Sequence, residues 1–537
     1  MGNLCSATTL FVPATVVSLL TLTGPLVLAQ PIVPNADGTG TQVTQSGNQI
    51  DITGGTMAGS NQFHSFEQFN VPTDNTANFV TPAHTDNVLG RVNGGSASII
   101  DGTVRVTGSD ANLYLMNPSG VVFGENARLD VPGSFNATSA TGIGVGDGEF
   151  SATGQNNYDT LVGAPNSFNF EQPTGAVVNH GDLAVSEGKS LNLVGTTVEN
   201  RGSLSAPGGS VNVIAVPGAG DRVRIEQAGM VLNLEVANDN TAITPTSLPK
   251  RLTGGDLDHA NTLEVGPDGV ARLTTRPSAA PGTVVVSGTA GNPARINADR
   301  VQVTGGQVIV ENAAISATGN QTQVLLQATQ GAAAVSNSTA NLANLAGIGG
   351  LLRIRGAGVA VEQSQIRLTG STTGQVQIES RAQGAALGTA LSGLEDGITA
   401  EIAVGNTTIA DSQISVELGA DIGATGPIVT GHVDILGPGQ VLIASSDIAA
   451  NQVRIGGDFQ GQGEVVTAQD TIVDASSTIS TLLSPFAAHA NLPLSSDSPQ
   501  SPSANPGRVI IWADDKTRFL GYLHNPAGFA EVSGKNE

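Results

Sequence analysis

Short apolar runs that alternate with polar residues recur along the chain. In VQVTGGQVIVE, LLRIRGAGVAVE and QVQIES, apolar residues occupy alternate positions, and Gly or Asn ends most such runs. Alternation with a period of two is typical of β-strands that bury one face, and Gly and Asn are typical of tight turns. The pattern therefore predicts an all-β protein made of many short strands.

A repeat with a period near 21 residues indicates how these strands are arranged. Each copy leads into an alternating strand, SLNLVG in the first copy and SVNVIAV in the second. The period fits one coil of a β-solenoid, in which successive coils stack as parallel strands ~4.8 Å apart. The matched positions are Asn179, Gly181, Leu183 and Gly188 in the first copy and Asn200, Gly202, Leu204 and Gly209 in the second.

A looser repeat, apolar-x-x-Ser/Ala-x-Ile, occupies the later half of the chain. Successive copies are 51, 48 and 34 residues apart, which we interpret as two coils, two coils and one irregular coil. The copies are Val310/Ala313/Ile315, Val361/Ser364/Ile366, Ile409/Ser412/Ile414 and Ile443/Ser446/Ile448.

Two further predictions concern the N-terminal end and the interior of such a solenoid. Unpaired edge strands at an open end would recruit other chains, so a cap is needed, and residues 30–70 are the candidate for an N-terminal cap. Aromatic residues make up only 3% of the chain. We attribute this low content to a narrow core that has little room for rings.

Composition and charge exclude several classes of function. The net charge is −23 with only 22 basic residues, and these form no cluster, so nucleic acid is not an expected partner. Cys5 is the only cysteine, which excludes a disulfide framework and a Cys metal site. The seven His residues lack metal-ligand spacing. We expect no cofactor and no metal.

The N-terminal segment resembles an export signal. Residues 10–28 are largely apolar and end in VLAQ, with small residues Val27 and Ala29 at the −3 and −1 positions of a cleavage site. The alternative is a lipid anchor, because MGNLCS fits an acylation pattern. We favour a signal peptide over residues 1–29, since an anchored protein would not need the apolar run, and we expect no membrane-spanning segment in the mature chain.

A sharp turn separates two apolar runs in LYLMNPSGVVF. Asn117 suits the first position of a type I turn, Pro118 presets φ at the second and Gly120 suits the fourth. From the residues alone, these positions are a turn between two coil strands.

A resemblance to a known family adds a second interpretation. Four stretches occur in the order seen in the secretion domain of filamentous-haemagglutinin-type exoproteins of two-partner secretion, particularly the cyanobacterial branch. The resemblance covers residues 30–236. The stretches are FHSFEQFNV (63–71), GRVNGGSASIIDGTVRV (90–106), ANLYLMNPSGVVFGENARLDVPGSFNATSA (111–140) and AVVNHGDLAVSEGKSLNLVG (176–195).

The resemblance implies a right-handed parallel β-helix and a Sec signal. It also implies export through an outer-membrane Omp85-type transporter that recognises the N-terminal domain in the periplasm. Asn117, Pro118 and Gly120 match the family's Asn-Pro-Asn-Gly-Ile motif, whereas Ser119 replaces its second Asn and Val121 replaces its Ile. A second family motif, Asn-Pro-Asn-Leu, is not found. These five residues are our candidate secretion motif, and the resemblance implies no catalytic site.

We therefore predict a secreted, surface-located adhesin or structural protein that binds a surface glycan or a ligand on a host or neighbouring cell. The alternative is a polysaccharide lyase or hydrolase on the same fold, for which acidic residues recur at Asp101, Asp110, Asp130 and Asp182. No repeated pairing of carboxylates with basic residues supports it. The predicted organisation is signal peptide 1–29, secretion domain 30–290, further coils 291–480, Pro/Ser-rich linker 481–507 and a C-terminal strand unit 508–537.

Overall fold

A computed structural model describes most of the chain after residue 30. The predicted signal peptide, and the predicted linker apart from residues 481 and 507, lie outside the described residues. The described residues are 31–172, 174–216, 218–226, 231–235, 262–265, 271–274, 281–344, 350–370, 373–381, 389–390, 401–402, 405–418, 430–481, 507–525 and 528–535.

The strands form three stacked faces, which we call face 1, face 2 and face 3. Each coil places one strand on face 3, then one on face 1, then one on face 2, and successive coils pair in parallel. Face 1 contains β5 (Asn61–Phe69), β7 (Asn87–Val92), β10 (Asn112–Met116), β13 (Phe135–Thr138), β19 (Ser190–Gly195), the second parts of β21 (Ser203–Ala215) and β27 (Ala294–Gly305), β30 (Gln323–Ala328), β33 (Gly350–Gly356), β36 (Thr373–Ser380), β41 (Thr430–Leu436), β44 (Gln452–Ile455), β47 (Arg508–Ala513) and β50 (Phe529–Gly534).

The other two faces follow the same rule. Face 2 contains β8 (Ser98–Ile100), β11 (Val121–Phe123), β17 (Ala176–Asn179), β20 (Thr197–Asn200), β26 (Thr283–Ser287), β28 (Gln307–Glu311), β31 (Ala333–Ser336), β34 (Val359–Glu362), β39 (Thr407–Ala410), β42 (Gln440–Ala444), β45 (Asp470–Val473) and β48 (Lys516–Phe519). Face 3 contains β3 (Gln49–Gly54), β6 (Thr76–Val80), β9 (Thr103–Thr107), β12 (Arg128–Asp130), β18 (Asp182–Ala184), the first parts of β21 and β27, β29 (Ala313–Gly319), β32 (Thr339–Asn344), β35 (Gln365–Gly370), β40 (Gln413–Leu418), β43 (Asp447–Ala449), β46 (Thr478–Ser480) and β49 (Tyr522–His524).

The remaining elements lie outside the three faces. The antiparallel side sheet contains β14 (Gly142–Val145), β15 (Gly148–Ser151), β16 (Pro165–Phe170), β22 (Asp221–Glu226) and β23 (Val231–Glu235). Two strand pairs are β24 (Thr262–Val265) with β25 (Ala271–Thr274) and β37 (Thr389–Ala390) with β38 (Glu401–Ile402), and two 3-10 turns are Tyr158–Thr160 and Phe459–Gly461.

The N-terminal strands cap the first coil. They are β1 (Ile32–Pro34), β2 (Thr41–Ser46) and β4 (Thr56–Ala58). β1 and β4 pair antiparallel with β5, and β2 pairs antiparallel with β3. These pairings occupy edges that a stack of parallel coils would otherwise leave open. The structure therefore confirms the all-β class, the parallel β-helix and its N-terminal cap.

The register confirms the 21-residue repeat. Asn179 pairs with Asn200, and Leu183 pairs with Leu204. A Cβ atom at Gly202 would lie 2.2 Å from the carbonyl oxygen of Gly181, so the stacked corner accepts only glycine there. The sequence repeat is therefore one physical coil.

The later repeat is confirmed for its first interval and corrected for its second. Val310, Val335 and Val361 lie on three consecutive coils, so the 51-residue interval spans two coils. Val361, however, pairs directly with Ile409 across the 48-residue interval. That interval is one coil, because residues 381–406 are inserted between β36 and β39 without adding a level to the stack.

A ladder of serine side chains runs along one corner of these later coils. The N–H of Ser338 donates to Ser364 Oγ (3.2 Å), that of Ser364 to Ser412 Oγ (3.1 Å), and that of Ser412 to Ser446 Oγ (3.1 Å). Each hydroxyl also donates to a carbonyl two residues earlier, at 2.7 Å in Ser364. The N–H of Ala313 likewise donates to Ser338 Oγ at 3.1 Å, so Ala313 occupies the first position of the ladder. The residues that precede these five positions have positive φ between 46° and 48°: Asn312, Asn337, Gln363, Asp411 and Ser445.

The interior of the first coils holds aromatic rings. Phe66, Phe69 and Phe79 are fully buried in one core with Phe123 and Phe135. The expectation that the narrow core has little room for rings is therefore wrong for this region. The later coils fill the same core with Val, Ile, Leu and Ala, and the low aromatic content of the chain reflects those coils.

Candidate functional site

The candidate motif forms the corner between β10 on face 1 and β11 on face 2. The N–H of Gly120 donates to the carbonyl oxygen of Asn117 at 2.9 Å, which closes a four-residue turn. The N–H of Ser119 donates to Asn117 Oδ1, also at 2.9 Å. Gly120 has φ of +112°, which a residue with a side chain rarely adopts. The structure thus places the predicted turn where the sequence indicates it.

Both neighbouring coils hold this corner. The side-chain amide of Asn117 donates to the carbonyl oxygen of Ser96 (2.9 Å) and to Ser98 Oγ (3.0 Å) in the preceding coil. On the other side, the N–H of Gly175 donates to the carbonyl oxygen of Pro118 at 2.7 Å. Asn117 therefore ties its own turn to the coil before it, while the next coil covers the turn.

Most side chains of the motif are buried in the folded protein and are therefore not accessible to a partner. Asn117 is 1% exposed, Ser119 is 7% exposed and Val121 is fully buried. Only Pro118 is partly exposed, since Gly120 is buried as well. A partner can therefore contact the Asn117 side chain only while the surrounding coils are open.

The side sheet covers the outer surface of face 1 around this corner. Two residues of β10 just before the motif, Tyr114 and Met116, point outward. They pack in a second core with Ile143 and Phe168 of the side sheet. Burial raises the pKa of Tyr114. The strands of face 1 are therefore buried on both sides here, which the pattern of alternating residues does not predict.

Arg91 on face 1 forms hydrogen bonds with both the N-terminal segment and the side sheet. Its guanidinium donates to Asp37 Oδ2 (2.7 Å), Ser65 Oγ (3.0 Å) and the carbonyl oxygen of Ser151 (2.8 Å), and it lies 5.7 Å from the ring centroid of Phe150. Its side chain is 1% exposed. A buried arginine needs such partners, because its charge cannot be neutralised.

The hydrogen-bond partners of Asp37 also lower the pKa of its carboxyl group. Burial by itself raises the pKa of Asp37, but hydrogen bonds from Ser65, Thr39 and Arg91 outweigh burial and lower the pKa to about 2. This ion pair is not evident from the sequence pattern. The available signal was an arginine within the otherwise apolar strand NVLGRV.

His64 is a buried ionisable residue of β5, on face 1 of the first coil. Its ring packs against Phe66 and Phe79, with centroid distances of 6.2 and 5.6 Å. Burial lowers its pKa to about 4. Neither ring nitrogen has a hydrogen-bond partner among the described residues, so the ring is held neutral at ordinary pH.

The acidic residues considered for catalysis have separate environments. Asp101 is buried and accepts hydrogen bonds from Thr73 and Asn126. Asp130 Oδ2 lies 2.6 Å from Arg105 Nε, and Asp182 Oδ2 lies 3.2 Å from Arg128 Nη2. Asp110 is exposed. The structure thus forms carboxylate–arginine pairs on neighbouring coils that the sequence pattern did not reveal.

No helix among the described residues has the length and apolar character needed to cross a bilayer. No three His, Cys, Asp or Glu side chains in the described ranges are grouped as they would be to hold a metal ion.

Comparison with known proteins identifies the N-terminal segment. The family model of the TPS secretion domain matches residues 29–247. A search of curated proteins finds no match to the chain. Two similar solved structures are the HMW1 secretion domain from Haemophilus influenzae (16% identity, 94% of this chain and 94% of that chain, TM-score 0.38) and the filamentous hemagglutinin secretion domain (15% identity, 65% and 93%, TM-score 0.35).

Both TM-scores lie below 0.5, so the two structures support no residue-by-residue correspondence, and the assignment rests on the family model. The chain carries a TPS secretion domain, which confirms the resemblance to two-partner secretion exoproteins. Such a domain implies a partner transporter in the outer membrane and export to the cell exterior. The cyanobacterial branch stays a prediction.

Proposed function

We propose that this protein is a secreted adhesin or surface structural protein of the filamentous-haemagglutinin type, exported by an Omp85-type transporter that recognises its N-terminal domain. The match of residues 29–247 to the TPS secretion domain carries this proposal. Residues 1–29 would direct the chain to the Sec route, and the chain would have no enzymatic activity. Expression with and without the cognate transporter tests the route, since the protein should reach the medium only when the transporter is present.

The arrangement of the coils supports folding in the order of export. Successive coils on faces 1 and 2 pair in parallel with the coil before them, and the antiparallel cap precedes them all. A chain that emerges N-terminus first can therefore add each coil to an edge that already exists. The stability gained as coils stack would favour outward movement without ATP.

The corner at Asn117, Pro118, Ser119, Gly120 and Val121 is the proposed recognition motif. Because the corner is buried in the folded coils, the transporter would bind it in the unfolded chain. The turn is closed by local hydrogen bonds between Asn117 and residues 119 and 120. A turn of this kind can form before any coil has stacked, which gives an unfolded chain a recognisable shape.

Asn117→Ala tests the motif against a matched control, Asn179→Ala. Asn179 is also a fully buried corner asparagine, and its Oδ1 accepts the N–H of Gly181 at 3.0 Å. Each substitution removes buried hydrogen bonds and should cost about 1–3 kcal/mol. We expect Asn117→Ala to reduce secretion at least tenfold and Asn179→Ala to leave it within about twofold of wild type.

Secretion is measured by immunoblot of the medium with the transporter coexpressed, and stability by urea unfolding of the purified proteins. Equal secretion of the two variants at equal stability would reduce the motif to a structural turn. The alternative enzymatic function is tested by incubating the purified protein with acidic polysaccharides. Release of unsaturated or reducing ends would overturn the assignment to a non-catalytic protein.

A further inference from the structure

The last described coil presents free strand edges on all three faces. β48 on face 2, β49 on face 3 and β50 on face 1 each pair with the strand one coil earlier. Among the described strands, none pairs with the other edge of these three. Such an edge carries main-chain N–H and C=O groups that can pair with another chain.

The apolar interior is also exposed at this end. Ala530 and Val532 of β50 point inward, because they are in register with Val509 and Ile511, which are fully buried. Val532 is nevertheless 43% exposed, and Ala530 is exposed as well. Ile32, in the cap at the opposite end of the stack, is fully buried. Within the described part of the chain, the last coil therefore lacks the cover that the first coil has.

Two strands of this end carry opposite charges. Lys516 and Arg518 lie on β48, and both side chains are exposed. Glu531 lies on β50 between the inward-pointing Ala530 and Val532, so it points outward. Because the same end supplies both signs of charge, a second copy of this chain has the charges needed to complement it.

A two-fold axis through face 3 would bring these strands together. The rotation turns one stack end over end, so the last strands of the two copies run antiparallel and β49 meets its own copy. The same rotation exchanges face 1 with face 2, so β50 of each copy meets β48 of the other. Because β49 is the middle of the three strands along the chain, an evenly rising stack leaves the same gap over each edge.

One register of β50 against β48 of the other copy matches inward and outward side chains together. It places opposite charges, two inward apolar side chains and two exposed apolar side chains directly across from one another. Such cross-strand pairs stabilise antiparallel strands. The pairs are Glu531 with Arg518, Ala530 with Phe519, and Phe529 (48% exposed) with Leu520 (60% exposed).

We propose that two copies of this protein associate end to end through β48, β49 and β50, in a two-fold symmetric dimer with the N-terminal caps at its opposite ends. Both copies use the same surface, so the association closes at two copies and does not continue into a filament. The dimer would pair the free edges and bury the exposed end of the core. This assembly is independent of the ligand that the protein binds.

Sedimentation velocity of the purified exported protein over a range of concentrations tests the proposal. We expect a monomer–dimer equilibrium. Glu531→Arg and Arg518→Glu each place like charges opposite one another, and each should raise the dissociation constant of the dimer at least about tenfold. The double variant exchanges the two charges and should return the dissociation constant to within about threefold of wild type.

Asp447→Arg is the matched control for charge reversal. Asp447 is exposed on β43, whose two edges are paired with β40 and β46. We expect it to leave the dissociation constant within about twofold of wild type, because it lies away from the free end. Glu531 accepts a hydrogen bond from Ser533 (2.6 Å), so circular dichroism checks that its variant folds. Arg518→Glu changes an exposed side chain and tests the interface by itself.

Three outcomes would overturn the proposal. These are a monomer at every concentration, a dimer that Arg518→Glu leaves unchanged, and a double variant that associates no better than the single variants. A wild-type monomer that dimerises only after deletion of residues 482–506 would assign the free end to that segment instead. None of these results bears on export, which the transporter experiment tests separately.

Discussion

The coils before residue 216 and those after residue 281 use the same three faces but are stabilised differently. The earlier coils contain stacked phenylalanines inside, and the side sheet buries the outer surface of face 1. The later coils have an aliphatic interior and repeat a serine ladder at one corner. Arg91 and His64 are buried in the earlier region, whereas the buried ionisable groups of the later coils are the carboxylates of Glu311 and Asp434.

This difference indicates a division of roles along the stack. A first coil has no folded neighbour to pair with, so it needs additional burial from a cap, from rings and from a covering sheet. A later coil adds to an existing edge and can rely on small residues that stack on their equivalents. The earlier region therefore contains stabilising contacts that the later coils do not need.

The largest effect should follow Phe66→Ala. Phe66 is fully buried, and its ring lies 5.1 Å from that of Phe69. Removing a buried phenylalanine ring costs about 3–5 kcal/mol. Hydrogen exchange should show lost protection in the first coils, whereas β33 and β36 keep theirs. Uniform loss of protection along the chain would contradict the separation of the two regions.

Acid should weaken the earlier region next. The pKa of His64 is lowered from 6.5 to about 4 by burial, so the unfolded state binds the proton more readily between these values. Stability is thus fully present above pH 6.5 and is lost as the pH falls toward 4, by roughly 3 kcal/mol in total. Asp37, whose pKa is about 2, stays ionised over this range.

Urea unfolding of the wild type and of His64→Leu at pH 7 and pH 4.5 measures this effect. The wild type should lose more stability than the variant between the two pH values. His432→Leu serves as the control in the later region, where the imidazole is only partly buried. An unchanged pH dependence in His64→Leu would assign the acid sensitivity to other groups.

The smallest effect should follow Ser364→Ala in the later region. The substitution removes the hydroxyl that accepts the N–H of Ser338 and donates to the carbonyl oxygen of Glu362. An unsatisfied buried N–H costs about 1–2 kcal/mol. Ser316→Ala, which changes a serine within β29 on face 3 and outside the ladder, should cost less in thermal unfolding. Equal costs would mean that the ladder adds nothing to strand stacking.

Much of the fold could be predicted because it depends on local pattern. Alternation identified the strands, and the recurrence of Asn179 at Asn200 gave the register that the structure shows. The turn at Asn117 was also predictable, since Asn, Pro and Gly act through their own backbone preferences. The side sheet and the Arg91–Asp37 pair were missed, because their contacts join residues that are far apart in the chain.

The sequence by itself determined the strands, their inward and outward sides and the positions of the corners, because these follow from alternation and from the backbone limits of Gly, Asn and Pro. Only the tertiary structure decided which coils are neighbours. An insertion such as residues 381–406 changes the spacing in the chain without changing the stack, so Val361 meets Ile409 directly. The tertiary structure likewise decided that the Asn117 corner is buried, since its burial depends on the distance between coils.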